Sequence, residues 1–336
     1  DPDLMTTAGA TWNRAMLEIA ALRHAREAGP VHGLVFDAMS ATTGLDFNPI
    51  ALAVADRSLV WNAAGRGPAA LRDLDAFKFL SAVREQLDAD GPWMAAENPF
   101  DHHSTLASLA EIIVVDDELT ADPRQGRVWR HRLLAGRRPV VRRLSGDFEW
   151  CDPRSVCQAL ALSTACGMVP SFGTGADGRP YWSVPEWYRR DTAALREWVP
   201  LAARLATAGW HLVPIATADD PTVLVETFGG EGGIWHVTAW NRGRAARSIV
   251  LELNGPANDA AVMDLRDAAV RAEVSTNGAV RWSVRLDADE VRVFDVVEPS
   301  SRDLEWRWLE RWGDPAGVGL AAAANARAMT DERARG

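Results

Sequence analysis

The sequence predicts an α/β region followed by an all-β sandwich. Three observations carry that expectation. Apolar runs of strand length alternate with helical patterns five times between residues 34 and 208. After Pro214 the chain changes to short alternating strands separated by Gly and Asn turns. Several of the early strands also end in acids, and in α/β folds the chemistry sits where parallel strands end.

The first helical pattern covers residues 11–28, with Trp12, Met16, Ile19, Ala20 and Leu22 at helical spacing and Gly29-Pro30 as its stop. A strand follows at 34–37, within the run Val31-His32-Gly33-Leu34-Val35-Phe36-Asp37-Ala38-Met39-Ser40. A carboxylate closing such an apolar run is costly unless it is paired or working. Residues 40–68 read as a long loop and therefore as a candidate functional insertion. Residues 71–89 are helical through Leu74, Phe77, Phe79, Leu80, Val83 and Leu87, and stop at Asp90-Gly91-Pro92.

The alternation then continues. A strand is expected at 93–97, a short helix at 104–110 and a β-branched strand at 111–118. A helix at 125–134, a strand at 138–144, a helix at 153–165, a strand at 167–172 and a helix at 192–208 complete the series. Strands alternating with helices imply a parallel sheet with right-handed crossovers. Five such units fit an open doubly wound sheet or the second part of an eight-unit barrel.

Short strands are expected at 223–228, 234–240, 247–253, 260–265, 280–286 and 291–297. Gly229-Gly230, Asn241-Arg242-Gly243, Asn254-Gly255 and Asn277-Gly278 separate them, the pattern of an antiparallel sandwich. The expected domains are therefore a catalytic α/β domain at 1–215, a sandwich at 216–298 and a tail at 299–336. The tail holds one amphipathic piece (Leu304, Trp306, Trp308, Leu309, Trp312) and then a loosely ordered alanine-arginine stretch.

Composition excludes several functions. The net charge of -10 comes with scattered basic residues, which argues against nucleic acid, since its binding needs concentrated positive charge. No run approaches the ~18 to 20 apolar residues of a membrane span, and no charged start with an apolar core marks a secretion signal. The chain opens on Asp1 rather than methionine, as a processed or truncated product does. Cys151, Cys157 and Cys166 form no CxxC pair, so neither a zinc site nor a disulfide scaffold is expected. No cofactor is expected: Gly173-Thr174-Gly175 is followed by no GKS/T and is not a phosphate cradle. Fifteen tryptophans against two tyrosines tilt the reading toward carbohydrate, because flat indole faces line sugar clefts.

The motifs GLVFDAMS, MAAENP, VVDDE and GMVPSFG, followed by a sandwich whose last strand reads LDADEVRVFDV, occur in that order. This order resembles the catalytic half and C-terminal sandwich of the (β/α)8 glycoside hydrolases of the α-galactosidase-like and endo-α-N-acetylgalactosaminidase-like type. The resemblance implies that the five units are strands four to eight of a barrel, an incomplete five of eight. It implies a nucleophile at the end of the fourth strand, where Asp37 stands, and hence a retaining reaction. It implies an acid/base from the fifth or sixth strand, where Glu97, Asp116, Asp117 and Glu118 stand. The lysine-x-aspartate context of α-galactosidases is missing before Asp37.

Glycoside hydrolysis needs two carboxylates, one to protonate the departing oxygen and one to attack the anomeric carbon or activate water. The candidates are Asp37 as nucleophile and Glu97, Asp116 or Glu118 as acid/base. Alternate residues of a strand face opposite ways, so Asp116 and Glu118 share a side and Asp117 faces the other, with Glu118 preferred for the cleft. Candidate substrate contacts are Trp61 and Asn62 in the long loop, Asn98, His102 and His103 after the 93–97 strand, and Arg143. The expected partner is a carbohydrate substrate. One alternative is a non-catalytic carbohydrate-binding protein or inactive fragment, because a barrel lacking three strands leaves two open edges. Another is a metal-dependent hydrolase using His102, His103, Asp37 and Asp116, although no HxH or HExxH spacing appears.

Overall fold

A computed structural model describes residues 33–36, 45–47, 52–53, 59–86, 93–99, 107–255, 260–266, 269–270, 272–274 and 278–298. Asp37, His102, His103, the 11–28 helix and the 299–336 tail lie outside the described residues.

The chain begins with strand β1 (Gly33–Phe36), then β2 (Leu45–Asp46), β3 (Val60–Asn62), β4 (Gly67–Leu71) and helix α1 (Arg72–Gln86). Next come β5 (Trp93–Glu97), β6 (Ile112–Glu118), α2 (Gly126–Ala135), β7 (Val140–Gly146), α3 (Pro153–Ala165) and β8 (Val169–Gly175). A single 3-10 turn at Tyr181–Ser183 leads into α4 (Pro185–Arg190) and α5 (Thr192–Ala208). Five parallel strands form one sheet in the order β1-β5-β6-β7-β8, an incomplete (β/α) barrel, and antiparallel sheets follow as a β-sandwich. Neighbours in this sheet are also successive among the parallel strands of the chain.

Part of the span read as a loop at 40–68 is in fact a small antiparallel sheet, β2-β4-β3. Its strands are two to five residues long and interrupted by Gly65, Gly67 and Pro68, so no apolar period signals them. The strands β7 and β8 begin two residues later than the apolar runs indicated and end two and three residues later, on Gly146 and Gly175.

Two compact units are distinguished: residues 1–116 with 127–141, and 117–126 with 142–336. In the first, β1 pairs with β5 from Gly33 opposite Trp93 to Phe36 opposite Ala96, and Ala95 of β5 lies opposite Ile112 of β6. Met94, Ala95, Ala96 and Glu97 are all buried, as a strand covered on both faces requires.

In the second unit, Asp152 caps α3 by accepting the Arg154 N–H at 2.9 Å, and Pro153 opens the helix where its missing N–H costs nothing. Val156, Ala159, Leu160 and Ala165 then bury the inner face of α3. The sandwich comprises β9 (Ala216–Ala218), β10 (Val223–Gly229), β11 (Ile234–Asn241), β12 (Arg247–Leu253) and β13 (Ala261–Asp264), then β14 (Ala269–Val270), β15 (Ala272–Val274), β16 (Val280–Leu286) and β17 (Val291–Val297). One sheet runs β10-β11-β17-β13-β14 and the other β15-β16-β12-β9. Val237, Ala239, Phe294 and Val296 of the first pack with Ile249, Leu251, Trp282 and Leu286 of the second. Buried Asp295 joins this sandwich to α5, accepting from His236 Nδ1 and from Arg204 Nη2, each at 2.5 Å.

Gly167, in the turn from α3 to β8, has φ +64°, and a Cβ there would stand 2.2 Å from a ring carbon of Phe228. Phe228 is fully buried, so its ring has nowhere to swing. Gly167→Ala therefore combines left-handed strain with overpacking and is expected to destabilise by at least about 2 kcal/mol. Thermal melting of the purified variant reads this directly, and an unchanged Tm contradicts it.

Candidate active site

The ends of β6, β7 and β8 frame a pocket of about 650 Å³. Glu118, Leu119 and Thr120 supply one wall, Ser145, Gly146 and Asp147 the next, and Thr174, Gly175 and Ala176 the third. Trp150, Cys151 and Ser155 close it from the loop and first turn that lead into α3. These are the C-terminal ends of parallel strands, the rim on which (β/α) folds carry their chemistry. Backbone bonds fix the rim: the Leu119 N–H donates to Ser145 O at 2.9 Å and the Ala176 N–H to Gly146 O at 3.0 Å.

Two acidic residues, Glu118 and Asp147, line this pocket, and both are exposed. Asp147 Oδ1 accepts the Trp150 N–H at 3.2 Å, so the acid also shapes the turn that presents the indole. Trp150 is 81% exposed. An indole left in water at a pocket mouth offers a flat apolar face with a polar edge, suited to the C–H face of a sugar ring. Glu149 Oε2 meets Arg179 Nη2 at 2.9 Å and so ties the Trp150 turn to the turn after β8.

An aromatic cluster and a buried ion pair stand beside the pocket-lining residues. Phe172 stacks on Tyr181 with ring centroids 4.1 Å apart, and Phe148 meets Tyr181 edge-on at 4.9 Å. The Tyr181 hydroxyl donates to buried Asp191 at 2.8 Å, and Arg190 grips the same carboxylate with two bonds of 2.8 and 2.9 Å. Burial first, and then the Asp191 hydrogen bond, push the Tyr181 phenol up out of reach of ordinary pH. Arg190 also donates to Phe148 O at 2.8 Å and to Cys151 Sγ at 3.3 Å. Burial nevertheless raises the Cys151 thiol, and the Arg190 charge offsets only part of that. Cys151 thus stays a thiol at neutral pH and is a poor nucleophile.

Glu118 lines the pocket, whereas Asp117 turns to Arg142, whose Nε donates to Asp117 Oδ2 at 2.7 Å. Arg142 is fully buried and also donates to Ala121 O at 2.6 Å, Ser163 Oγ at 3.3 Å and Glu118 O at 3.4 Å. Arg143, the neighbour favoured from the sequence, is half-buried and packs beside Gly173.

Glu97, Asn98 and Asp116 form a second cluster within the other unit. Glu97 is 4% exposed and accepts from Asn98 Nδ2 at 3.4 Å, while Asn98 Oδ1 accepts the Asp116 N–H at 3.2 Å. Asn98 adopts φ 48° and donates its own N–H to Val114 O at 2.8 Å, so its side chain clamps the end of β6. The Asp116 carbonyl accepts from Arg127. Trp61 is 69% exposed on β3, and Asn62 Oδ1 accepts the Ala64 N–H at 3.0 Å in the turn that follows.

Asp147, Trp150 and Arg142 stand in or just after the 138–144 strand, the stretch from which the sequence carried forward only Arg143 as a candidate. An acid followed three residues later by tryptophan, directly after a strand, was the available signal for the first two. Among the described residues, no group of three or more His, Cys, Asp and Glu stands close enough to hold a metal ion. His102 and His103, on which a metal-dependent reading rests, lie outside those residues. No described helix is long and apolar enough to cross a membrane.

No family model matches the sequence, and no curated protein matches it. Among solved structures the chain is similar to a rhamnosidase from Novosphingobium sp. PP1Y, with TM-score 0.46 and 12% identity over 67% of this chain and 39% of that one. It is similar to an Anoxybacillus α-amylase, with TM-score 0.43 and 11% identity over 68% of this chain and 57% of that one. It is also similar to α-galactosidase I from Mortierella vinacea, with TM-score 0.41 and 10% identity over 68% and 64%. These neighbours are glycoside hydrolases, and the chain spans less than two thirds of the length of each. The chemistry of the site therefore rests on this chain's own residues.

Proposed function

We propose that the protein is a glycoside hydrolase whose pocket at the ends of β6, β7 and β8 holds the sugar. The observation that supports this reading is the meeting of Glu118, Asp147 and the exposed Trp150 indole in one strand-end pocket. In this reading Glu118 protonates the departing glycosidic oxygen and then, as carboxylate, draws a proton from the incoming water. Asp147, the second acid of that pocket, is assigned the attack on the anomeric carbon, which gives a covalent intermediate and retention of configuration. Trp150 stacks on the ring, and Asp147 holds its turn.

The test is a panel of α- and β-aryl glycosides assayed with the wild-type protein and with Trp150→Ala. Turnover of at least one member is expected, with KM for it rising about three- to ten-fold in Trp150→Ala, the range of one aromatic contact. Oligosaccharide binding without turnover of any substrate would replace the enzyme by a carbohydrate-binding protein.

A further inference from the structure

Glu226 is an acid buried inside the sandwich strand β10, where an isolated carboxylate would be strongly unfavourable. Arg124 and Trp210, both outside the sandwich, bind it. Arg124 Nη1, in the turn after β6, donates to Oε1 at 3.1 Å, and the Trp210 indole N–H, just after α5, donates to Oε2 at 3.0 Å. Arg124 is itself set by Asp122, whose Oδ1 accepts the Arg124 N–H at 2.8 Å. Arg142 holds Asp117 and Ala121, the two residues that bracket Glu118, Leu119 and Thr120 of the pocket, and Arg124 stands three residues further on. The segment is thus held by β7, and the turn that continues it is tied to the sandwich through Arg124 and Glu226.

We propose that Glu226 is a positioning residue for Glu118, acting through Arg124, so that the sandwich sets the geometry of the pocket. This rests on the glycosidase reading of the pocket. A carboxylate that must transfer a proton at one atom is sensitive to displacements near 1 Å, whereas sugar stacking on Trp150 is not. Loss of the Glu226–Arg124 pair therefore falls on kcat and leaves KM nearly in place.

The experiment compares wild type, Glu226→Gln, Glu226→Ala, Arg124→Met and the Arg124→Met/Glu226→Ala double variant on the aryl glycoside best turned over. Glu226→Ala and Arg124→Met are each expected to lower kcat about ten-fold with KM within about two-fold of wild type. The double variant is expected to be no worse than either single, because both remove one link. Glu226→Gln keeps an acceptor for Arg124 and is expected to recover most of the rate. Unchanged kcat in a folded Glu226→Ala, or losses that multiply in the double variant, overturns the proposal. Amide hydrogen exchange at residues 118–121 measures the same restraint without turnover. Faster exchange there in Glu226→Ala, with the β16 amides unchanged, supports the proposal, and unchanged exchange overturns it. If the wild type turns nothing over, the glycosidase reading fails while the exchange result still decides whether Glu226 holds the segment.

Discussion

Glu118→Gln lowers turnover of an aryl glycoside with a poor leaving group by about 100- to 10,000-fold, the range of general acid-base catalysis. The amide is nearly isosteric, so the pocket keeps its shape, yet it has no proton to give at the glycosidic oxygen. The loss depends on the leaving group. A strongly acidic phenol departs without protonation, so the deficit shrinks for its formation step and persists for the water-dependent step. Steady-state rates across a series of aryl leaving groups read this pattern. An equal loss for every leaving group would assign Glu118 to binding rather than proton transfer. Both Glu118 and Trp150 are exposed at the pocket, so neither substitution removes core packing.

Arg142→Ala is expected to cause the largest loss of stability. The guanidinium is fully buried and donates to the Asp117 carboxylate, the Ser163 hydroxyl and the carbonyls of Glu118 and Ala121. Truncation leaves a half-buried carboxylate and several acceptors without their donor, and breaking one side of such a pair destabilises by about 3–5 kcal/mol. For a unit of this size that is a fall in Tm of about 10 °C. Asp117→Asn, which keeps shape but removes the charge, is expected to fall between wild type and Arg142→Ala. If Arg142→Ala melts with the wild type, the clamp does not hold the end of β6.

Much of the fold was written in local pattern. The run Ile112-Ile113-Val114-Val115 is buried on both faces, so it is continuous in the sequence and easily read as a parallel strand. The alternation of Arg247–Leu253 and Val280–Leu286 likewise records one face in a core and one toward solvent. The small β2-β4-β3 sheet was hidden because two of its strands are two or three residues long and the third opens on Gly67-Pro68, which leaves no period.

The site was legible in part. Strand parity sets Glu118 apart from Asp117 and pairs it with Asp116; Glu118 lines the pocket and Asp117 meets Arg142, while the pocket's lining does not include Asp116. The same parity gave no choice between Arg142 and Arg143, since either side chain can be the buried one until the partner strand is known. Arg142 is buried because Asp117 stands beside it, a non-local pairing that no single segment encodes. Glu226 left a fainter mark: a charge inside Val223–Gly229, a run otherwise buried almost throughout, calls for a partner without naming Arg124.

The central claim is that a glycosidic bond is held at the carboxylate of Glu118. A crystal structure of the Glu118→Gln variant with an oligosaccharide of the best substrate tests it most directly. The expected complex has a sugar ring on the Trp150 indole and the glycosidic oxygen about 3 Å from the side chain at position 118. Saccharide bound away from the ends of β6, β7 and β8, with position 118 touching none of it, would contradict the assignment.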